Sequence, residues 1–216
     1  MKKVLLTGFE AFGGADINPS ALAAEKLDGR TIANHQVVAA ILPCAFEASL
    51  VELKRQLRRV QPELVICVGQ AGGRKAITVE RVALNVDDAP IADNLGAQPI
   101  DQPIAKRGPV GYWSTLPIKS IALALNEAGI EAAVSETAGT FVCNHVFYGL
   151  MHSLKRRPNV RGGFVHVPFI PRQAKVHKKH REPSMPLSRI VRGLELAIRV
   201  AILTPEESGK TGGATH

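Results

Sequence analysis

Cysteine is scarce: Cys44, Cys67 and Cys143 are the only three in 216 residues. An odd, scattered set excludes a disulfide framework and the paired spacing of a structural zinc site, and it predicts a reducing, cytoplasmic compartment. Aromatic residues are few as well, at 5% with a single tryptophan. Long apolar runs are missing: nothing nears the roughly 20 residues that a membrane-spanning helix needs. The opening Met1-Lys-Lys-Val-Leu-Leu-Thr-Gly8 reaches glycine too early for a secretory leader. What remains is 45% hydrophobic and 21% charged, the balance of a globular chain with an ample core. We expect one catalytic domain over residues 1–204 and a flexible polar tail over 205–216.

The net charge of +8 is unevenly placed. Residues 155–216 hold 13 Lys and Arg against 4 Asp and Glu, whereas residues 1–154 hold 14 against 15. The densest basic run, from Arg172 to Arg181, has no interleaved aromatics to stack on bases, so a solvated loop is expected rather than a nucleic-acid surface. His177 and His180 fall in this run. Their flanking lysines and the want of further ligands argue against zinc, and no metal is expected.

Apolar periodicity alternates between strands and helices. Buried strands are expected at 3–7, 36–42, 64–68, 77–86, 130–135 and 161–167. Helices are expected at 19–27, 46–59, 117–128, 142–157 and 185–203, with Leu50, Leu53 and Leu57 facing inward on the second. Pro19 suits a first helical turn. Such alternation predicts an α/β fold, a three-layer α/β/α single domain with a mostly parallel, twisted mixed sheet. Residues 87–113, rich in proline, glycine and aspartate, form a long irregular connection of the kind that serves as a lid or an oligomer contact. The turn after the first strand, Gly8-Phe-Glu-Ala-Phe-Gly-Gly14, is not a dinucleotide fingerprint.

The chemistry centres on residues 135–148. Thr140 is the expected N-cap of a helix whose first turn holds Cys143, where free amides and the helix dipole favour a thiolate. A helix over 142–157 climbs roughly 20–24 Å at about 1.5 Å per residue. The strand at 161–167 returns roughly 20 Å at about 3.3 Å per residue. His166, at its end, thus comes back level with Cys143, as thiol activation requires. Glu80 shares the parity of Val82, Leu84 and Val86, which places a carboxylate on an apolar face. A buried carboxylate needs a partner, and an imidazole to orient is one candidate against a plain structural ion pair. Cys67 reads as core. Cys44, in a loop after a strand, is the competing nucleophile.

Several stretches resemble the pyroglutamyl peptidase type I (pyrrolidone-carboxylate peptidase) family of cysteine peptidases. They are Thr7-Gly-Phe-Glu-Ala-Phe-Gly13, Asn18-Pro-Ser20, Gly72-Gly-Arg-Lys-Ala-Ile-Thr-Val-Glu-Arg-Val-Ala-Leu-Asn85, Asp93-Asn-Leu-Gly-Ala-Gln-Pro99, Ala138-Gly-Thr-Phe-Val-Cys-Asn144 and His166-Val-Pro168. The resemblance implies a triad of Cys143, His166 and Glu80. It further implies a pyroglutamyl pocket lined by Phe9, Phe12, Phe141 and Val142, with polar contacts from Gln70. It also implies a metal-free, cofactor-free cytosolic enzyme, commonly a homotetramer, acting on N-terminally pyroglutamylated peptides. Ala11 stands where the family turn carries proline, and Pro90 where the family carries an arginine, for which Arg74 or Arg81 are the nearby substitutes. The expected reaction is acyl transfer through a thioester. The alternatives are a catalytically weak binding protein on the same scaffold and a nucleoside- or phosphate-handling α/β enzyme.

Overall fold

The elements run β1 (Lys2–Phe9), α1 (Pro19–Leu27), β2 (Thr31–Ile32), β3 (His35–Leu42), α2 (Phe46–Val60), β4 (Leu64–Gln70), β5 (Ile77–Glu80), β6 (Val82–Leu84), β7 (Gly111–Trp113), α3 (Ile118–Glu127), β8 (Ala132–Ser135), α4 (Val142–Leu154), β9 (Arg161–Val167), α5 (Pro171–Ala174) and α6 (Leu187–Leu203). This computed structural model describes residues 1–174, 182–204, 207 and 209. His177, His180, most of the basic run and nearly all of the expected tail lie outside the described residues.

Seven strands form one sheet in the order β2-β3-β1-β4-β9-β5-β8. Strands β3, β1, β4 and β9 are parallel. β5 runs antiparallel to β9 and parallel to β8, and β2 pairs antiparallel with β3. The mostly parallel α/β sheet expected from the alternation is therefore present, its antiparallel pairing at β2 and at β5.

Alternation along each strand sorts side chains onto two faces. Val4, Leu6, Ile66, Val68, Ile77, Val79, Val165 and Val167 pack with α1, α3 and α6 in one core. Leu5, Val65, Cys67 and Phe164 pack with α2 and α4 in the other. Each fully buried leucine, isoleucine or phenylalanine contributes about 1.5–3 kcal/mol of transfer free energy. Among the described residues no helix is long and apolar enough to cross a membrane.

Three expectations are corrected. The strand expected at 77–86 breaks at Arg81, whose N–H donates to Ser135 (2.8 Å) while its carbonyl accepts from Ser114 (2.8 Å). β6 then leaves the main sheet to pair with β7. Val82, Leu84 and Val86 therefore lie outside β5, where the residue that shares the parity of Glu80 is Thr78, so the parity argument does not account for its burial. Thr140 does not cap α4: Phe141 holds the cap position without a side-chain bond, and Thr140 Oγ1 instead donates to the Asp88 carbonyl at 2.7 Å. The helix also stops at Leu154, not at 157. Leu50 faces inward as expected, half-buried against the core that α2 and α4 share and meeting Gly149 of α4.

Candidate active site

Three strand registers bring the chemistry together. In the β4–β9 ladder His166 lies opposite Gly69, and in the β9–β5 ladder it lies opposite Thr78. By alternation Cys67 and Gly69 on β4, Phe164 and His166 on β9, and Thr78 and Glu80 on β5 all turn toward the face that α4 covers. The helix beginning at Val142 drops its first turn, with Cys143, onto that face.

His166 and Glu80 are buried together, with side chains 5% and 0% exposed. His166 Nδ1 lies 2.8 Å from Glu80 Oε1, a charge-assisted bond that assigns the ring proton to Nδ1 and leaves Nε2 for other work. Arg74 Nη1 donates to the same oxygen at 2.7 Å and to Thr78 Oγ1 at 2.6 Å, and approaches Ser135 Oγ at 3.4 Å. Burial works against the charge of Glu80. The hydrogen bond and charge of His166 outweigh it, with smaller help from Ser135 and Arg74, and hold the carboxyl below its usual range. Of the two arginines considered as substitutes for the residue at Pro90, Arg74 therefore reaches the site, whereas Arg81 pairs with Glu136 at 2.8 Å. Pro90 itself is exposed.

Cys143 keeps partial exposure, whereas Cys44 and Cys67 are 3% and 0% exposed. Its sulfur lies so close to Gly69 that a Cβ there would stand 2.7 Å away. Gly69 is thus both the residue that the sulfur approaches and the one opposite His166 in the β4–β9 ladder. Burial pushes the Cys143 thiol up, Cys44 and Glu80 add to this, and Arg74 opposes it. Burial thus opposes the help that the helix start was expected to give a thiolate. Burial likewise pushes Cys44 and Cys67 up to about 12. Cys44 lies beside Glu10 and Asp93, whose charges add to its shift.

The first bond of the α4 ladder is His145 N–H to the Phe141 carbonyl at 3.1 Å, so the amides of Val142, Cys143 and Asn144 precede it and point out of the helix end. Asn144, fully buried, fixes this end. Its amide donates to the carbonyls of Leu84 and Val86, both at 2.9 Å, and its oxygen accepts from Leu84 N–H at 2.9 Å.

A cavity of about 410 Å³ opens beside the site, bordered by Phe12, Gln70, Gly72, Ile91, Phe169 and Arg172 among others. Phe12 lies 6.0 Å from Phe141, which meets Phe46 edge-on at 5.4 Å, so an aromatic wall continues from the cavity toward α4. Gln173 donates to Gln70 Oε1 at 2.7 Å and fixes that amide. Of the five residues expected to line a pocket, Phe12 and Gln70 border the cavity and Phe141 adjoins it. Phe9 and Val142 are instead 2% and 0% exposed, packed in the core behind it.

Gly69, Asn144 and the loop anchors were not assigned roles by sequence reasoning. Two of those anchors hold residues 87–102. The buried pair His145 Nδ1–Asp87 Oδ2 (2.7 Å) ties its start to α4. Asp93 Oδ2 accepts from Phe46 N–H (2.8 Å), supplying α2 with the cap that its own Ala45 lacks. Among the described residues no group of three His, Cys, Asp or Glu is placed to hold a metal ion.

A cysteine at a helix mouth, over the sheet face that carries an imidazole held by a buried carboxylate, is an arrangement that suits a cysteine hydrolase. The family model described as pyroglutamyl peptidase matches residues 2–204. The pyrrolidone-carboxylate peptidase of Bacillus cereus strain G9842 is 53% identical over 217 residues, covering 100% of both chains. The crystal structure of pyroglutamyl peptidase I from Bacillus amyloliquefaciens is similar with a TM-score of 0.94 at 46% identity, over 97% of this chain and 99% of that one. The pyrrolidone carboxyl peptidase from Thermococcus litoralis gives 0.90 at 42% identity, over 94% of each. This chain belongs to the pyroglutamyl peptidase family, cysteine peptidases within the hydrolases.

Proposed function

We propose that this chain removes an N-terminal pyroglutamyl residue from peptides, with Cys143 as nucleophile, His166 as base and then acid, and Glu80 as the group that orients His166. The observation that carries this is the 2.8 Å Glu80–His166 bond, buried on the face where Cys143 starts α4. Glu80 holds Nδ1 protonated, so Nε2 takes the thiol proton as sulfur attacks the carbonyl that joins pyroglutamate to the next residue. The amides that precede the α4 ladder are the oxyanion donors. The imidazolium then protonates the leaving amine, and water, deprotonated by the same ring, releases pyroglutamate from the thioester.

Phe12 and Phe141, backed by Phe9 and Val142, would enclose the lactam ring, with Gln70 supplying its polar contact. A lactam is neutral. A free N-terminal ammonium would lose its hydration against these uncharged walls, which costs free energy and excludes ordinary peptides. We further propose that residues 1–204 act as one catalytic unit, that the enzyme is cytoplasmic, and that it assembles as a homotetramer.

The test is hydrolysis of a pyroglutamyl amide with and without a thiol-blocking reagent. Turnover that the reagent abolishes supports the reading. No turnover, or turnover indifferent to thiol blocking, refutes it.

A further inference from the structure

The cavity is larger than one lactam ring requires. At about 410 Å³ it falls in the range of about 300–1,000 Å³ that encloses drug-sized ligands. Its end nearest the sulfur is defined by Gln70, the residue after Gly69, and by the aromatic wall of Phe12 and Phe141. It is also lined by Gly72, against which Phe169 packs so closely that a Cβ would stand 2.6 Å from the ring. Two charged side chains also line it, Asp16 and Arg172, both exposed.

Neither charge is spent within the fold: among the described residues neither Asp16 nor Arg172 has an ion-pair or side-chain hydrogen-bond partner. The backbone that carries Arg172 is nonetheless held in place. Gln173, next to it and buried, accepts from Ile170 N–H at 3.1 Å and donates to Gln70 Oε1 at 2.7 Å and to the Ile17 carbonyl at 3.3 Å. One amide therefore joins the turn of Arg172, the loop of Asp16 and the polar floor of the pocket.

We propose that Arg172 and Asp16 read the charge of the leaving peptide. Arg172 favours a carboxylate on the residue after pyroglutamate, and Asp16 moderates that preference. The inference deepens the peptidase reading and rests on it. With the neutral lactam against the aromatic wall near Cys143, the leaving portion runs along the cavity toward the charged rim. A guanidinium there presents a planar donor fork to a carboxylate and repels an ammonium.

The test compares kcat/KM for pyroglutamyl-Glu, pyroglutamyl-Ala and pyroglutamyl-Lys amides, all lacking a terminal carboxylate, in the intact chain and in Arg172→Glu and Asp16→Asn. The intact chain is expected to favour the Glu over the Lys substrate by about two- to fivefold, the scale of one exposed ion pair. This preference should shrink in 1 M salt, where screening acts over about 3 Å. Arg172→Glu should invert the ratio and Asp16→Asn should raise it. Being a ratio, the readout is insensitive to the fraction of folded enzyme. A Glu-to-Lys ratio unchanged by Arg172→Glu overturns the inference and leaves the peptidase reading standing. Absence of turnover on all three substrates by the intact chain overturns both.

Discussion

A methyl group added at Gly69 would stand 2.7 Å from the Cys143 sulfur and 2.9 Å from Phe164. Comfortable contact between carbon atoms begins at about 3.5–4.0 Å, and sulfur is larger, so roughly 1 Å must be recovered. Phe164 cannot supply it, being fully buried between Phe9 and Phe147. The sulfur, at the partly exposed first turn of α4, is what moves. A misplacement of about 1 Å at reacting atoms costs on the order of 100-fold, and overpacking costs about 1–3 kcal/mol of stability. For a chain of this size that is a drop of about 2–12 °C in Tm. Gly69→Ala is therefore expected to fold, to lose about 100-fold in kcat on a pyroglutamyl amide, and to keep KM within a few-fold, because Phe12 and Phe141 are untouched. Steady-state kinetics with circular dichroism and a thermal melt measure all three. A folded variant with kcat within threefold of the parent would refute the proposed contact between the sulfur and this strand.

Glu80→Gln keeps the shape but gives up the charge that holds both His166 and Arg74. Loss of the correct ring tautomer is expected to lower kcat by about 10²–10⁴ with KM little changed, as measured on the same amide. Glu80 also links stability to pH. Its folded pKa lies below its ordinary value of 4.5, so its stabilising contribution is complete above that value and is lost as pH falls through the folded one. Denaturant melts from pH 6 downward should show a steeper loss in the parent than in Glu80→Gln; parallel curves would contradict the assignment. Asp87→Ala removes the carboxylate paired with buried His145 and leaves a ring nitrogen without its partner. We expect about 1–3 kcal/mol of destabilisation, seen as a lower Tm. KM should rise more than kcat falls, because the loop so anchored carries Ile91 of the cavity wall.

Much of this site is readable from periodicity, and the reasons are specific. The strand at 161–167 was expected with the bounds of β9, and α4 began at Val142 as its apolar spacing required. A helix followed by a returning parallel strand sets its own length, which is why His166 comes level with Cys143. Other features depend on partners distant in sequence. Whether the run from Ile77 continues past Arg81 depends on Ser114 and Ser135, which compete for its backbone. Thr140 looks like a cap in isolation, yet the Asp88 carbonyl captures its hydroxyl. The raised Cys143 thiol reflects burial under α4 and the nearness of Cys44 and Glu80, none of which a first-turn position announces. Phe9 and Phe12 are three residues apart in one turn, yet one enters the core and the other borders the cavity. Gly69 offered a signal that went unused: a glycine closing a buried apolar strand marks a place where something approaches the backbone closely.

The central claim is that one sulfur among three does the chemistry. Treating the enzyme with limiting iodoacetamide, then mapping the label by peptide mass spectrometry against residual turnover of a pyroglutamyl amide, tests it most directly. Activity is expected to fall in proportion to carbamidomethylation at Cys143, reaching zero at one label per chain, while the buried Cys44 and Cys67 stay unmodified. Activity that persists with Cys143 fully labelled, or that falls in step with Cys44 instead, would contradict it.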